Sequence, residues 1–420
     1  MIRALGRPFA GKTLLSNAFA TASQHTLNYL FPFILIPYLT RILGPVGWGL
    51  VAFTQAFAQL VQVGVEYGFQ LSATRELAIN RHSRQKCAAT LAEVTAAKLL
   101  LLSVAVMAAI ILSKLIPHLE SQPLLLWSAV IWTAGHALNM TWFYQGIERL
   151  RPAVVADVVG GVTSTVAVFF LVRHPDDGWK VLLIQGIASL LAAFATFYQA
   201  VGYSGLVRPS LSQVFQRIQS GRHTFAYRFA LGTYSFGNPF VLGWMAPVST
   251  VAYFAGADKI TRATLLLVYP LAQALFPRVN YHAERGDEKA GRLATIGLIV
   301  AAVIGIASGI AVVLGAPVLV RLLLGSRFLP SVDVLRALAL LCPLIAINTV
   351  LVYQWLLPRF LDASLTRLTL TAGVINLCLA LLLAPRYGAV GMAWAVVLTE
   401  VFVLGGCCFS LMRARRAPTE

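Results

Sequence analysis

The chain has 420 residues, of which 58% are hydrophobic and 12% charged, with a mean hydropathy of +0.76. A soluble domain averages roughly 45 to 50% apolar and about 25% charged, so an ordinary soluble enzyme is excluded and most apolar side chains must face lipid. The 33 Lys and Arg outnumber the 16 Asp and Glu for a net charge of +17; they crowd the short gaps between apolar runs, which is a membrane-topology signal and not a nucleic-acid footprint.

Twelve apolar stretches approach the ~20 residues a helix needs to cross hydrocarbon. They run over 14–39, 46–70, 88–112, 123–145, 153–172, 181–203, 224–245, 249–276, 293–320, 332–357, 364–384 and 388–411. Lipid offers the backbone no hydrogen bonds, so these stretches are helices despite their many Val, Ile and Phe residues. The expected fold class is an all-α polytopic membrane protein. Asn17, Gln24, Asn28, Pro32 and Pro37 interrupt the first stretch, which reads as a retained helix and not as a cleaved leader.

Counted gap by gap, 21 Lys and Arg lie on the side of the termini and eight on the other, with Lys98, Arg228, Lys259 and Arg262 inside spans. That bias predicts both termini in the cytoplasm. No gap exceeds about 20 residues, so neither face has room for a soluble catalytic domain. Sliding the chain by 203 positions lays span 2 on span 8 and Arg75 on Arg278; sliding by 213 lays Arg173 on Arg386. Two like-oriented six-helix bundles follow, 1–212 and 213–420, an arrangement of transporters with a central cavity.

Residues 6–13, GRPFAGKT, match the phosphate-cradling P-loop pattern. The pattern needs a preceding strand in a soluble α/β domain, and here a membrane helix follows, so Lys12 reads as a positive-inside anchor. Asn17, Thr21, Gln24 and Asn28 share one helical face, and span 2 repeats the device with Gln55, Gln59, Gln62 and Glu66. Such stripes are either interhelical hydrogen-bond glue or the wall of a hydrated pathway for a polar cargo; two of them favour the pathway.

Span 8 carries Asp258, Lys259 and Arg262 near its middle, where each charge costs at least ~2.5 kcal/mol on the insertion scale. Asp258 and Arg262 are i and i+4, the spacing of an intrahelical ion pair. Lys259 is then left as net positive charge, suited to an anionic head group. Arg228 lies a few residues into span 7 and either snorkels to the interface or serves the pathway. Lys98 is deeper in span 3, and Glu93, five residues before it, is poorly spaced for a same-helix pair. Asp157 in span 5 and Glu400 in span 12 are lone carboxylates that carry a coupling proton or bond a neighbouring helix. The five cysteines are scattered, and neither metal nor cofactor is expected. No nucleophile, base and orienting group assemble in the short outward gaps.

Residues 28–55, NYLFPFILIPYLTRILGPVGWGLVAFTQ, with YGFQLSATRELA at 67–78, resemble the opening of bacterial O-antigen and related polysaccharide-repeat flippases. These share a superfamily with multidrug-and-toxin extruders and peptidoglycan-precursor flippases. TWFYQGIERLR at 141–151 is similar to that family's WFxQGxE segment, AYFAGADKITRATLLLVYPLAQALFPRV at 252–279 to its helix 8, and APRYGAVGMAWA at 384–395 to its turn into helix 12. The resemblance implies two six-helix bundles around a cationic lumen in the bacterial inner membrane. It also implies a polyprenyl-pyrophosphate-linked glycan as cargo, passed from the cytoplasmic to the periplasmic leaflet, with the tail in membrane lipid and a polysaccharide polymerase as a possible downstream partner. Within this frame Lys98, Arg228, Lys259 and Arg262 are the expected cationic pathway and Gln24, Asn28, Gln55, Gln59 and Gln62 the polar one. Asp258, Glu66, Glu400 and Asp157 are coupling or ion-pair candidates. A multidrug exporter of the same superfamily and a membrane-embedded repeat-unit polymerase are the competing readings; the cationic core disfavours the first and the lack of a large outward loop the second.

Overall fold

A computed structural model describes residues 9–114, 120–265, 288–356 and 362–416. The side chains of 9–32, 223, 227, 230, 288–290, 362–363 and 414–416 fall outside that description. The start of the P-loop-like segment, the Lys12 anchor and the side chains of Asn17, Thr21, Gln24 and Asn28 therefore lie outside the described residues.

Every element among the described residues is helical, as backbone hydrogen bonding in lipid demands. In chain order they are α1 (Phe9–Glu66), α2 (Phe69–Asn80), α3 (Arg84–Ser113), α4 (Pro123–Ala137), α5 (Thr141–Gly146), α6 (Arg151–Leu171), α7 (Gly178–Ser204) and α8 (Leu211–Phe236). There follow α9 (Asn238–Met245), α10 (Val248–Leu265), α11 (Glu288–Leu319), a π-turn (Val320–Leu324), α12 (Ser331–Leu338), α13 (Leu341–Leu351), a second π-turn (Val352–Leu356) and α14 (Asp362–Arg416). Seven stretches of the described residues are long and apolar enough to cross a membrane. Two of these contain a kink: Phe33–Asn80 holds the end of the first expected span and all of the second, and Ser364–Arg413 holds the last two. In α1 the kink is at Gly44, whose φ of 64° is left-handed and favours glycine. In α14 it is at Gly388, φ 57°, shortly after Pro385.

Span 4, expected as one helix over 123–145, is instead broken after Ala137. No proline causes it. The side chain of Asn139 accepts from the backbone N–H of Thr141 at 2.7 Å, the first residue of a new helix, α5.

The chain forms two compact units. One holds α1 up to Leu35 together with Phe57–Phe229; the other holds Ile36–Ala56 together with the chain from Ala230. The core of the first unit is built from α2, α3, α5 and the start of α6, with Phe69, Leu77, Leu91, Trp142 and Phe143 fully or almost fully buried. In the second unit the helix pair flanking Gly44 packs on α9 and α10. Phe53 stacks on Phe240 with centroids 5.3 Å apart, and a Cβ on Gly49 would lie 1.9 Å from the Val248 carbonyl oxygen, so only glycine permits that approach. Thr40 donates to Leu323 O at 3.4 Å and Arg41 to Leu322 O at 2.5 Å, satisfying carbonyls at the end of the first π-turn.

Candidate functional site

The second unit gathers the charges of span 8 around α10. Arg262 Nε donates to Asp258 Oδ2 at 2.7 Å, the i,i+4 pair that the spacing allows. Its Nη2 donates to Ser235 O at 3.1 Å and ties α10 to the end of α8. Lys259 points elsewhere, because consecutive helical residues are about 100° apart. Among the described residues it makes no ion pair and no hydrogen bond, although the neighbouring Asp258 acts on it electrostatically; its ammonium sits 5.0 Å from the ring centroid of Trp48. A cation–π contact holds an ammonium without neutralising it. The result is a positive charge on α10 without an ion-pair partner among the described residues.

Glu400 forms a second centre in the same unit. It is 9% exposed and accepts from the Tyr234 hydroxyl and, at 2.8 Å, from Asn348 Nδ2. Both donors are neutral, and no Lys or Arg among the described residues pairs with it. A buried carboxylate without a counter-charge is costly unless it takes up a proton or a cation. Asn348 Oδ1 beside it is buried without a partner.

In the first unit Lys98 is 3% exposed and donates to Ala137 O at 2.7 Å, with Trp142 at 5.9 Å from its ammonium. The lysine thus satisfies a carbonyl left open by the break in span 4, at the negative end of α4. On the other side of the break Asn139 Nδ2 donates to Asp157 Oδ1 at 2.9 Å. Lys98, Asn139 and Asp157 together hold the interruption, and the WFYQG residues directly after it form α5.

The first part of α8 also belongs to this unit. Arg228 lies 3.7 Å from Glu66 and donates to Gln70 at 3.1 Å. Gln62 donates to Glu66 at 3.1 Å. Three turns earlier on α8, Arg217 bridges Glu76 on α2 and Glu93 on α3, the latter at 2.6 Å, while Tyr67 stacks on Phe225 at 4.4 Å. Glu93, the poor partner for Lys98, belongs to Arg217.

The structure therefore joins Asp258, Lys259 and Arg262 in one place, pairs Arg228 with Glu66, joins Lys98 and Asp157 to one helix break, and leaves Glu400 in a centre of its own. The stripe of span 2 is divided: Gln55 lies in the second unit, and Gln59, Gln62 and Glu66 in the first. All three glutamines are half-buried. Trp48, Tyr234, Asn348 and Arg217 escape sequence reasoning, since each partners residues far away in the chain and none completes a motif. Among the described residues no His, Cys, Asp and Glu cluster is suited to a metal ion.

The family model described as polysaccharide biosynthesis protein matches residues 14–280. Two similar proteins, each named "Putative O-antigen transporter", come from Shigella dysenteriae and Escherichia coli (strain K12). The first is 30% identical over 90% of this chain and 95% of its own length, the second 28% over 93% and 95%. Among solved structures, an inward-facing multidrug resistance MATE family transporter of the MOP superfamily aligns with a TM-score of 0.73 at 16% identity, covering 93% of this chain and 94% of that one. The lipid II flippase MurJ in an inward closed conformation aligns with a TM-score of 0.73 at 13% identity, covering 95% and 87%. These structural likenesses establish a common fold. With an all-α membrane architecture and a family match over more than half its length, this chain belongs to the polysaccharide biosynthesis protein family.

Proposed function

We propose that the protein is a flippase that carries a polyprenyl-pyrophosphate-linked oligosaccharide repeat unit from the cytoplasmic to the periplasmic leaflet of the bacterial inner membrane. The observation that carries the reading is Lys259: α10 holds an ammonium that makes no ion pair among the described residues. Burying such a charge is unfavourable unless a ligand supplies the counter-charge, and a pyrophosphate in a low-dielectric cavity is a strong match for it. The O-antigen transporters named above are relatives over nearly the whole chain, and the MurJ flippase shares the fold.

In this reading the halves 1–212 and 213–420 are the two six-helix bundles of an alternating-access carrier, with both termini cytoplasmic as the 21 to 8 charge bias favours. Lys259 and Arg262 attract the head group, Arg228 adds positive charge in the first unit, the glutamines of span 2 suit the sugars, and the polyprenyl tail stays in lipid. Lys98 serves the helix break and stands outside the pathway. Glu400 is the coupling carboxylate, because Asp258 and Glu66 already face arginines. The chemistry is transport and no covalent bond changes.

The test is the leaflet location of the lipid-linked repeat unit after depletion of the protein, probed in intact spheroplasts with a glycan-modifying enzyme that cannot enter. Units that accumulate yet stay shielded until the membrane is broken are the expected result. Single units that accumulate fully exposed refute the proposal.

A further inference from the structure

Trp48 comes from the turn of the first helix pair, LGPVGWG, yet packs within the second unit. It is 2% exposed, and its Nε1–H is buried with no acceptor. A buried donor left without an acceptor carries a desolvation penalty, and few are retained in native proteins. This one adjoins a second unsatisfied group, since the face of the same ring carries the Lys259 ammonium at 5.0 Å. Two donors of one site, one of them cationic, thus have no acceptor among the described residues. The nearest carboxylate on α10, Asp258, is paired with Arg262 at 2.7 Å and makes no ion pair with Lys259.

An acceptor suited to both groups carries negative charge and at least two oxygens, because an ammonium and an indole N–H leave the ring in different directions. Phosphate oxygens meet both demands. We propose that Trp48 is a binding residue for the anionic head group, its Nε1–H and the Lys259 ammonium donating to oxygens of one pyrophosphate. The inference rests on the flippase reading and adds a neutral donor to its cationic pathway. It also places the cargo against the helix pair Ile36–Ala56, which Arg41 and Thr40 fasten to the first π-turn. The head group thereby bridges two segments of the unit, that helix pair and α10.

The experiment measures binding of inorganic pyrophosphate and of geranyl pyrophosphate to the full chain in lipid nanodiscs by calorimetry. Trp48→Phe keeps an aromatic face for Lys259 and removes the N–H; Lys259→Gln removes the charge. Pyrophosphate binding is expected to weaken about tenfold in Trp48→Phe, equivalent to about 1.4 kcal/mol, and at least as much in Lys259→Gln. Trp48→Phe also removes buried ring volume, so a modest fall in its unfolding midpoint is expected whatever the N–H does, and binding is compared at a temperature where both variants are folded. Unchanged binding in Trp48→Phe with loss in Lys259→Gln overturns the role of Trp48 and leaves the flippase reading intact. No binding of either probe by the parent protein overturns both.

Discussion

Replacing Arg217 with alanine removes the charge that binds α8 to α2 and α3. Its guanidinium side chain is 16% exposed and its two partners are unequal: Glu93 is 15% exposed with Nη2 at 2.6 Å and Nε at 3.1 Å, while Glu76 is 36% exposed. At an effective dielectric of about 20, two charges about 4 Å apart attract by about 4 kcal/mol before desolvation is subtracted. Solvent screening reduces the Glu76 contribution to about 1 kcal/mol or less. Removing one partner of a buried pair costs about 3 to 5 kcal/mol, and the Glu93 pair, partly buried, belongs at the low end. Arg217→Ala should therefore lose about 3 to 4 kcal/mol. The double-mutant cycle of Arg217→Ala with Glu93→Ala should return a coupling of about 2 kcal/mol, larger than the cycle with Glu76→Ala. Reversible unfolding by SDS in mixed micelles, followed by tryptophan fluorescence, measures both cycles. A coupling to Glu93 below about 0.5 kcal/mol, or the reverse order of the two glutamates, refutes the reasoning from burial and distance.

Three further outcomes are expected. Gly49→Ala forces a Cβ to within 1.9 Å of Val248 O, a backbone atom that cannot step aside; the variant should be destabilised by about 1 to 3 kcal/mol, and an unchanged unfolding midpoint would contradict the packing of the first helix pair in the second unit. Glu400→Gln keeps the side-chain volume and abolishes ionisation, so glycan export should fall at least tenfold at normal protein level in the membrane, and full export would remove Glu400 from coupling. Lys98→Met loses one hydrogen bond to Ala137 O and also the cost of a buried charge, two opposing contributions of comparable size; export should persist, and its loss in a stably inserted variant would return Lys98 to the cationic pathway.

Hydropathy made the fold legible because lipid leaves the backbone no alternative to the helix, so that the all-α reading followed from composition and the length of the apolar runs. The kink at Gly44 was also foreshadowed by LGPVGWG, where glycine and proline punctuate the sequence. The break in span 4 was hidden for the opposite reason. LNMT contains no Gly or Pro, and the interruption is held by Asn139 within it together with Lys98 from α3 and Asp157 from α6.

The same division explains how far the candidate site could be read. Asp258 and Arg262 lie on one helix, and the geometry of that helix alone dictates that they pair and that Lys259 is left over. What receives the leftover charge depends on long-range packing: an aspartate in place of Trp48 would have given Lys259 a counter-ion and cancelled its use for an anion, whereas an indole holds the ammonium and preserves its charge. Glu400 follows the same logic with reversed sign, since Tyr234 and Asn348 give it hydrogen bonds and no cation. Within the second unit, then, one cation and one carboxylate are each kept in contact with groups that orient them without neutralising them. A protein that needed these charges only for stability would have paired each with an opposite charge, as it did Asp258 with Arg262.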